Sequence, residues 1–265
     1  MSMEKGVPIR AITRGLSVLQ AVNRGGSITM MEIARSSQVP YPTACRIVQT
    51  LLHEGLIERE PTRKRYRATA LVQSLASGYH DDSRLVEVCR PHIEALTDRL
   101  LWPISVTSRV GAHMMVRDST HARTSLTLNN YYPGFTLPIM ECSSGKGYMA
   151  FCSDAEREHL LEGLRTIEGA AERMATLLLS NDTLLKTIRR DGYATQSRNA
   201  YTANPGKTSS IAVPLFRRGE VAGAVVVIFF AVAMSMEQAV GKFLGPLAAT
   251  ARAISDELGT SPAAA

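Results

Sequence analysis

The sequence lacks the features of an exported, membrane-spanning or metal-binding protein. Its first residues, Met-Ser-Met-Glu-Lys, contain no apolar stretch of the kind found in a signal peptide. The most apolar run, residues 221–234, is too short to cross a bilayer and contains Gly223, so it predicts a buried strand. The four cysteines share no metal-ligand spacing and are predicted to be reduced thiols in a cytoplasm: Cys45, Cys89, Cys142 and Cys152.

Motifs for nucleotide, cofactor and hydrolase chemistry are absent as well. The chain has no Walker motif, no dinucleotide fingerprint, no zinc motif and no GxSxG element. His113 and His121 flank Arg117, but two histidines without a set of carboxylates are weak evidence for a metal site. Asp118, Ser119 and His121 are close in sequence, which is no evidence of triad geometry. We therefore predict a protein that is not an enzyme and that needs neither cofactor nor metal.

Positive charge is concentrated at one end of the chain. The sequence has 30 Lys plus Arg against 24 Asp plus Glu, a formal net charge of +6. Residues 1–80 contain 11 of those bases and 5 of those acids, so the whole excess lies in this segment. The other 19 bases and 19 acids cancel. A polyanion is the expected partner of the basic segment, in a chain whose 265 residues leave room for two domains.

Residues 27–69 carry the pattern that organises the chain. One helical pattern is followed by a turn at residues 37–40 and by a second helical pattern, residues 44–52, that ends at Gly55. Two short alternating segments surround a basic turn, at residues 56–59 and 66–69. Helix, turn, helix and basic hairpin is the layout of a winged helix-turn-helix, whose second helix lies in the major groove of double-stranded DNA. Motif and charge therefore agree on DNA as the partner.

The second helix of this motif would read DNA through the side that faces away from its apolar stripe. That side carries Tyr41, Pro42, Thr43, Cys45, Arg46 and Gln49. Arg46 can bind guanine through two hydrogen bonds and Gln49 can bind adenine in the same way, while Thr43 suits a phosphate. The alternative for Arg46 is a surface ion pair with Glu54 or Glu32. Further phosphate contacts are predicted for Arg10 and Arg14 in a first helix and for Arg63, Lys64 and Arg65 in the wing.

The segments next to the winged motif are predicted to be helical. A first helix over residues 9–23 would pack beneath the helix-turn-helix through Ile12, Leu16, Leu19 and Val22. A linker helix over residues 70–83 is indicated by Leu71, Leu75 and Tyr79. We therefore expect a DNA-binding domain over residues 9–69, the linker helix, and a second domain over residues 84–258.

The second domain is predicted to have an α+β fold. A long helix begins at residue 84, and strands are expected at residues 104–110, 114–118 and 125–128. An apolar hairpin over residues 211–230 and a last helix over residues 235–258 complete the pattern. Helices flanking a mainly antiparallel sheet of about five strands are typical of a sensor-type domain.

The chain resembles the IclR family of bacterial transcriptional regulators over residues 10–258. In the N-terminal half the resemblance lies in EIARSSQVPYPTACRIVQTLLHEGLIER and in a wing that ends RYRAT. In the C-terminal half it lies in LPIMECSSGKGYMAF, IRRDGYA and SIAVPLFRRGEVAGAVVVI. The resemblance implies an effector-binding domain related to GAF and PAS sensors, and a homodimer or dimer of dimers on a near-palindromic operator. The segments WPISV and MMVRDSTHARTSLTLNN resemble the branch that controls degradation of hydroxylated phenylpropionates and related aromatic acids.

The resemblance also places an effector pocket for a small carboxylate. Its positions are Leu126, Asn129, Leu137, Ser143, Ser144, Gln196, Ser210, Val226 and Ile228. Ser143 and Ser144 open a helix whose first N–H groups and dipole favour an anion, although an ordinary capped helix has the same sequence features. An acidic residue common after GYA is replaced by residues 195–197, and polar residues on the last strand are replaced by Val226 and Ile228. Both departures predict a less polar pocket that suits an aromatic acid.

Other functions stay open at this point. The effector could be a small aliphatic acid such as glyoxylate or pyruvate. The chain could also be an architectural protein that binds DNA without any ligand. An enzyme with an accessory DNA-binding domain is opposed by the absent catalytic motifs.

Overall fold

A computed structural model describes residues 9–76, 83–127, 131–165, 182–202 and 205–260. The chain divides into two units between residues 81 and 82. Each unit has hydrophobic clusters of its own, so each is described by itself. No helix in the described ranges is long and apolar enough to span a membrane.

The N-terminal unit combines three helices with a small antiparallel sheet. Its helices are α1 (Arg10–Gly25), α2 (Met30–Ser37) and α3 (Tyr41–His53). Its strands are β1 (Ile28–Thr29), β2 (Ile57–Arg59) and β3 (Arg65–Ala68), in the order β1-β3-β2. A 3-10 helix, Ala70–Ala76, follows the sheet. The prediction of a winged helix-turn-helix is confirmed.

Local signals in the sequence set the ends of α2 and α3. Thr29 and Glu32 form a reciprocal capping box at the start of α2, each side chain bonded to the backbone N–H of the other residue. Pro42 stands in the first turn of α3, where a backbone N–H has no intrahelical partner. Gly55 has φ +70° just after α3, so this residue ends the helix in the left-handed region as predicted.

The core of this unit includes only the second half of α1. Val18, Leu19 and Val22 are buried against α2 and α3. Ile12 and Leu16 are 58% and 55% exposed, so the prediction that they pack beneath the helix-turn-helix is wrong. The buried side chains of α1 begin at Val18, so the first half of the helix extends beyond the core of this unit.

The predicted linker helix also differs from the structure. Residues 70–76 form a 3-10 helix, and Leu71 and Leu75 are exposed. The hydroxyl of Thr69 donates to the Gly55 carbonyl oxygen at 2.6 Å and accepts the Leu71 N–H at 3.2 Å. These bonds hold the chain against the end of α3 and draw it into a tight turn. The rest of the predicted linker, residues 77–82 with Tyr79, lies outside the described residues.

Within its described residues, the C-terminal unit is a six-stranded antiparallel sheet with helices on both faces. The strands are β4 (Ile104–Val110), β5 (His113–Ser119), β6 (Thr136–Pro138), β7 (Ala194–Gln196), β8 (Thr208–Arg217) and β9 (Glu220–Phe230), in the order β6-β5-β4-β9-β8-β7. The helices are α4 (Ser83–Leu100), α5 (Ser143–Phe151), α6 (Asp154–Arg165), α7 (Asp182–Asp191) and α8 (Met236–Thr260). Helices α4 and α8 cover one face, and α5, α6 and α7 cover the other. The predicted α+β fold is confirmed.

The predicted apolar hairpin is observed as β8 and β9 at the centre of this sheet. Val225 and Val227 face α4 and α8, whereas Val226 and Ile228 belong to a cluster on the opposite face. At Gly223 the strands β9 and β4 approach so closely that a Cβ would collide with the Thr107 carbonyl oxygen. Because side chains alternate between the two faces along β9, only every second residue of this strand can reach a site under α5.

One predicted strand is absent. Residues 125–127 form no strand, and residue 128 lies outside the described residues. The hydroxyl of Thr124 donates to the Leu101 carbonyl oxygen at 2.5 Å and accepts the Leu126 N–H at 3.1 Å, which bends the segment. The place beside β5 is taken by β6 instead. Strands β6 and β7 were not predicted, because three residues are too few to show a period of two.

Candidate functional site

The exposed side of α3 carries the side chains expected to read DNA. Ala44, Val48 and Leu51 are buried in the core of the unit. The opposite side is formed by Tyr41, Pro42, Arg46 and Gln49, which are exposed, and by Thr43 and Cys45, which are half-buried. The helix therefore presents polar and basic groups outward while its apolar stripe anchors it.

Arg14 and α3 share a groove in this unit. The groove has a volume of about 620 Å³, and its polar side chains are Arg14, Thr43, Arg46, Gln49, Thr50 and His53. Within the described part of the chain, Arg46 forms no ion pair, and Glu32 is engaged by Arg65 instead. The ion-pair alternative for Arg46 is therefore not observed. The sequence did not single out Thr50 and His53, which lie one helical turn beyond Arg46 and Gln49 on the same side. Arg10 is exposed at the start of α1.

A second groove, of about 400 Å³, lies between α3 and the wing. Its polar side chains are Tyr41, Cys45, Gln49, Arg59 and Lys64. The Cys45 thiol beside Tyr41 raises the pKa of that phenol above its ordinary value. Arg59, which the sequence did not single out, adds a base at the end of β2. Gln49 lines both grooves and so lies at the centre of the reading face.

The wing bases lie in two different environments. Arg63 and Lys64 are exposed at the turn, in the position expected of phosphate contacts. The guanidinium of Arg65 donates to the Ser27 carbonyl oxygen at 2.9 Å and to the Glu32 carboxylate at 3.3 Å. The Arg65 guanidinium is therefore engaged within the unit, where it joins β3 to the start of α2.

A cavity of about 30 Å³ lies under the start of α5 in the C-terminal unit. It is lined by Ser105, Thr107, Val116, Tyr131, Leu137, Cys142, Ser143, Ser144, Asn199, Thr202, Thr208, Ser209, Ser210, Val226 and Ile228. Strands β4, β8 and β9 form its floor, and α5 and the Tyr131 segment close it. The volume is room for a water molecule or two, because one water needs roughly 10–15 Å³ by this measure.

The start of α5 has the features of an anion site. Ser143 and Ser144 are buried there, and the first N–H groups of a helix have no intrahelical partner. The Cys142 thiol caps the helix by accepting the Gly145 N–H at 3.4 Å, and burial raises the pKa of this thiol, so it stays neutral. A Cβ on Gly145 would collide with the Ile139 carbonyl oxygen. Close packing therefore explains why α5 starts with small residues.

Six of the nine predicted pocket residues line the cavity. These are Leu137, Ser143, Ser144, Ser210, Val226 and Ile228. Leu126 instead packs against the cluster on the α4 and α8 face. Gln196 accepts a hydrogen bond from the Lys146 ammonium at 2.6 Å and donates to the Ser197 carbonyl oxygen at 3.1 Å, so its amide is engaged outside the cavity. Asn129 lies outside the described residues.

Apolar side chains form only part of the lining. Val226 and Ile228 do form an apolar wall, but hydroxyl groups surround the rest of the cavity. The other lining residues were not predicted from the sequence: Ser105, Thr107, Val116, Tyr131, Cys142, Asn199, Thr202, Thr208 and Ser209. The run Thr208-Ser209-Ser210 just before an apolar strand was a signal that could have indicated a polar wall. The cavity is thus amphipathic, with the helix start and the hydroxyls opposite the valine and isoleucine.

Asp118 and His121 lie away from the cavity. Among the described residues, no group of three or more His, Cys, Asp and Glu is placed to hold a metal ion. Arg90 pairs with Asp118 at 3.1 Å, so this carboxylate is neutralised by a structural contact. Burial lowers the pKa of His121, which keeps its ring neutral near pH 7. Neither group lines the cavity.

A winged helix-turn-helix followed by a sheet domain with a small cavity under a helix start is the layout of a DNA-binding regulator. Residues 11–61 match the IclR helix-turn-helix domain, and residues 78–256 match the bacterial transcriptional regulator IclR C-terminal domain. The chain belongs to the IclR family of transcriptional regulators. It is therefore a DNA-binding protein with an effector domain.

Individual relatives are distant. The chain is 22% identical to the HTH-type transcriptional regulator TsaQ1/TsaQ2 of Comamonas testosteroni over 59% of its own length and 57% of that protein. The crystal structure of Thermotoga maritima IclR matches at 19% identity and a TM-score of 0.64 over 94% of this chain and 99% of that chain. An IclR homologue from Microbacterium hydrocarbonoxydans, crystallised with 4-hydroxybenzoate, matches at 22% identity and a TM-score of 0.60 over 94% of this chain and 98% of that chain. Likeness at this level shows the fold alone.

Proposed function

We propose that this chain binds a near-palindromic operator and that a small carboxylate in the α5 cavity changes its affinity for that operator. The start of α5 carries the proposal, because buried Ser143 and Ser144 lie there beside the first N–H groups of the helix, which have no intrahelical carbonyl partners. These donors and the positive end of the helix dipole favour an anion. The described lining contains no basic side chain, so hydroxyls and N–H groups would hold the charge.

The DNA part of the proposal assigns roles along the reading face. Arg46 binds a guanine in the major groove and Gln49 an adenine, while Thr43 and Arg14 meet the backbone at the edge of the same groove. Arg63 and Lys64 neutralise phosphates, and Arg10 does so from the start of α1. A second copy of the chain occupies the other half-site, so the half-site centres lie about one helical turn apart, or a multiple of that.

The effector assigned to the cavity is a hydroxylated aromatic acid. Its carboxylate meets Ser143 and Ser144, its ring lies along Val226 and Ile228, and a ring hydroxyl bonds a cavity hydroxyl farther from Ser143, such as Thr208 on β8. This arrangement uses both sides of an amphipathic cavity. The complex of the Microbacterium homologue with 4-hydroxybenzoate gives one member of the fold with such a ligand. We expect micromolar binding, on the order of 8 kcal/mol.

A compact aliphatic acid such as glyoxylate or pyruvate is the second candidate. The volume of about 30 Å³ favours it, because a smaller molecule requires less widening of the cavity. The many hydroxyl groups favour it as well, since they can satisfy both a carboxylate and a neighbouring oxo group. The two candidates share the anion site at α5 and differ in whether the apolar wall is used.

Calorimetry of the full chain separates the two candidates. The titrants are 4-hydroxybenzoate, 3-(4-hydroxyphenyl)propionate, pyruvate and glyoxylate, and the aromatic acids should bind more tightly. Tight binding of only the small acids would transfer the assignment to the second candidate. Absence of heat with all four acids would remove the effector proposal for both classes.

One substitution in the cavity and a control substitution outside it test where the acid binds. Ser144→Phe should abolish acid binding while operator binding stays intact, because the ring fills the cavity of the C-terminal unit. Gln196→Ala is the matched control, since this side chain is bonded to Lys146 and does not line the cavity. Equal loss of acid binding in both variants would contradict the location.

A further inference from the structure

Two hydroxyl pairs link the walls of the cavity under α5. The Ser143 and Ser210 hydroxyls are 2.8 Å apart and join the start of α5 to β8. The Tyr131 and Thr208 hydroxyls are 3.1 Å apart and join the Tyr131 segment to the start of β8. All four residues line the cavity and are at least about nine-tenths buried, with exposed fractions of 1%, 9%, 3% and 3% in the order named.

The two pairs and a carboxylate compete for the same protons. A hydroxyl has one proton, so one partner of each pair donates to the other and only one proton per pair remains for a ligand. A carboxylate accepts only, and it gains most when several donors meet it. A carboxylate that accepts hydrogen bonds from both Ser143 and Ser210 must therefore break their mutual bond. A cavity of about 30 Å³ leaves no room for a ring beside intact pairs.

We propose that these two pairs determine how large an effector the cavity admits, with Tyr131 as the residue that sets the selectivity. The proposal rests on the effector function assigned above. While both pairs are formed, the cavity fits only water-sized groups. Opening the Tyr131 pair widens it along the apolar wall of Val226 and Ile228, where a ring needs the space.

The position of Tyr131 explains why its hydroxyl group carries this effect. Its ring packs edge-on against Phe135, with centroids 5.7 Å apart, in the same cluster as Val226 and Ile228. Removing the hydroxyl leaves that ring packing in place and breaks the link to Thr208. If only a fraction of the molecules has the Tyr131 pair open, the apparent affinity for a ring acid is reduced by that fraction. Tyr131→Phe should therefore favour ring acids over compact acids.

The first test needs no ligand. Backbone hydrogen exchange in the full chain should report the opening at the Asn199 N–H, which donates to the Thr208 carbonyl oxygen at 2.8 Å. In Tyr131→Phe this amide should exchange roughly 2- to 10-fold faster, the effect of one hydrogen bond. Tyr132→Phe is the matched control, because the same atom is removed one residue away from a side chain that does not line the cavity. Equal exchange in the two variants would overturn the proposal.

The second test measures selectivity by calorimetry with 4-hydroxybenzoate and pyruvate. In Tyr131→Phe the ratio of the two affinities should move toward 4-hydroxybenzoate by roughly 2- to 10-fold, while Tyr132→Phe keeps the wild-type ratio. Thr208→Val, which removes the other partner, should move the ratio in the same direction. An unchanged ratio in both cavity variants would overturn the proposal. If the wild type binds neither acid, the effector assignment fails, and the exchange comparison still decides the role of the pair.

Discussion

Replacing Arg65 by alanine tests whether the last base of the wing holds the fold or binds DNA. Its guanidinium makes hydrogen bonds of 2.9 and 3.2 Å to the Ser27 carbonyl oxygen and one of 3.3 Å to Glu32. These bonds join β3 to the segment that leads into α2. The Arg65 and Glu32 side chains are 33% and 51% exposed, so the ion pair itself contributes little beyond the hydrogen bonds.

The expected loss is moderate. Removing a charged donor from a backbone oxygen should lower the free energy of unfolding of the N-terminal unit by about 1–2 kcal/mol, once solvent exposure is allowed for. The salt dependence of DNA binding should stay unchanged, because Arg65 would release no counterion. Arg63→Ala is the matched control, with an exposed side chain at the turn. It should reduce the salt slope by about one and alter stability by less than about 0.5 kcal/mol.

Two measurements decide between the roles. Urea denaturation of each variant gives the change in the free energy of unfolding. Fluorescence anisotropy of labelled DNA between about 50 and 200 mM salt gives the slope. An Arg65→Ala variant with wild-type stability and a slope reduced by about one would refute the assignment of Arg65 to the fold.

Three further changes have defined outcomes. Arg46→Ala should weaken operator binding by about 1–3 kcal/mol and relax the preference at one base pair in a selection from randomised DNA; equal weakening on random DNA would reassign Arg46 to the backbone. Gly145→Ala should lower the free energy of unfolding of the C-terminal unit by about 1–3 kcal/mol, because a Cβ collides with the Ile139 carbonyl oxygen, and unaltered thermal denaturation would contradict this. Hydrogen bonds from Thr29 lower the pKa of Glu32 from 4.5, so its contribution to stability is present above about pH 4.5 and is lost as the pH falls through the folded-state pKa. Glu32→Gln should flatten that part of the pH–stability curve, and an unchanged curve would exclude Glu32 as its source.

The reading motif was predictable because its signals are local. The spacing of Ala44, Val48 and Leu51 fixes the buried stripe of α3, and Gly55 marks its end. Those signals do not show which group each outward-facing side chain contacts. Arg63 and Arg65 look alike in the sequence, yet Arg65 reaches Ser27 and Glu32 only because β3 pairs with β1. Ile12 likewise fits an amphipathic pattern without showing how far along α1 the core extends.

The cavity was predictable only in part, because its walls come from segments far apart in the sequence. The family resemblance placed Ser143, Ser144 and Ser210 in the pocket, and all three line the cavity. Tyr131 and Thr208 meet across 77 residues through strand order, which periodicity does not encode. Gln196 was placed wrongly, because the Lys146 ammonium engages its amide outside the cavity.

The coupling between effector and operator is the most direct test of the whole account. The operator is first selected from randomised duplex DNA with the full chain, and its affinity is then measured with and without 4-hydroxybenzoate. The account predicts a change of at least about 5-fold in the wild type, typical of a coupling of 1 kcal/mol or more, and none in Ser144→Phe. An operator affinity that no aromatic or aliphatic acid alters would contradict it.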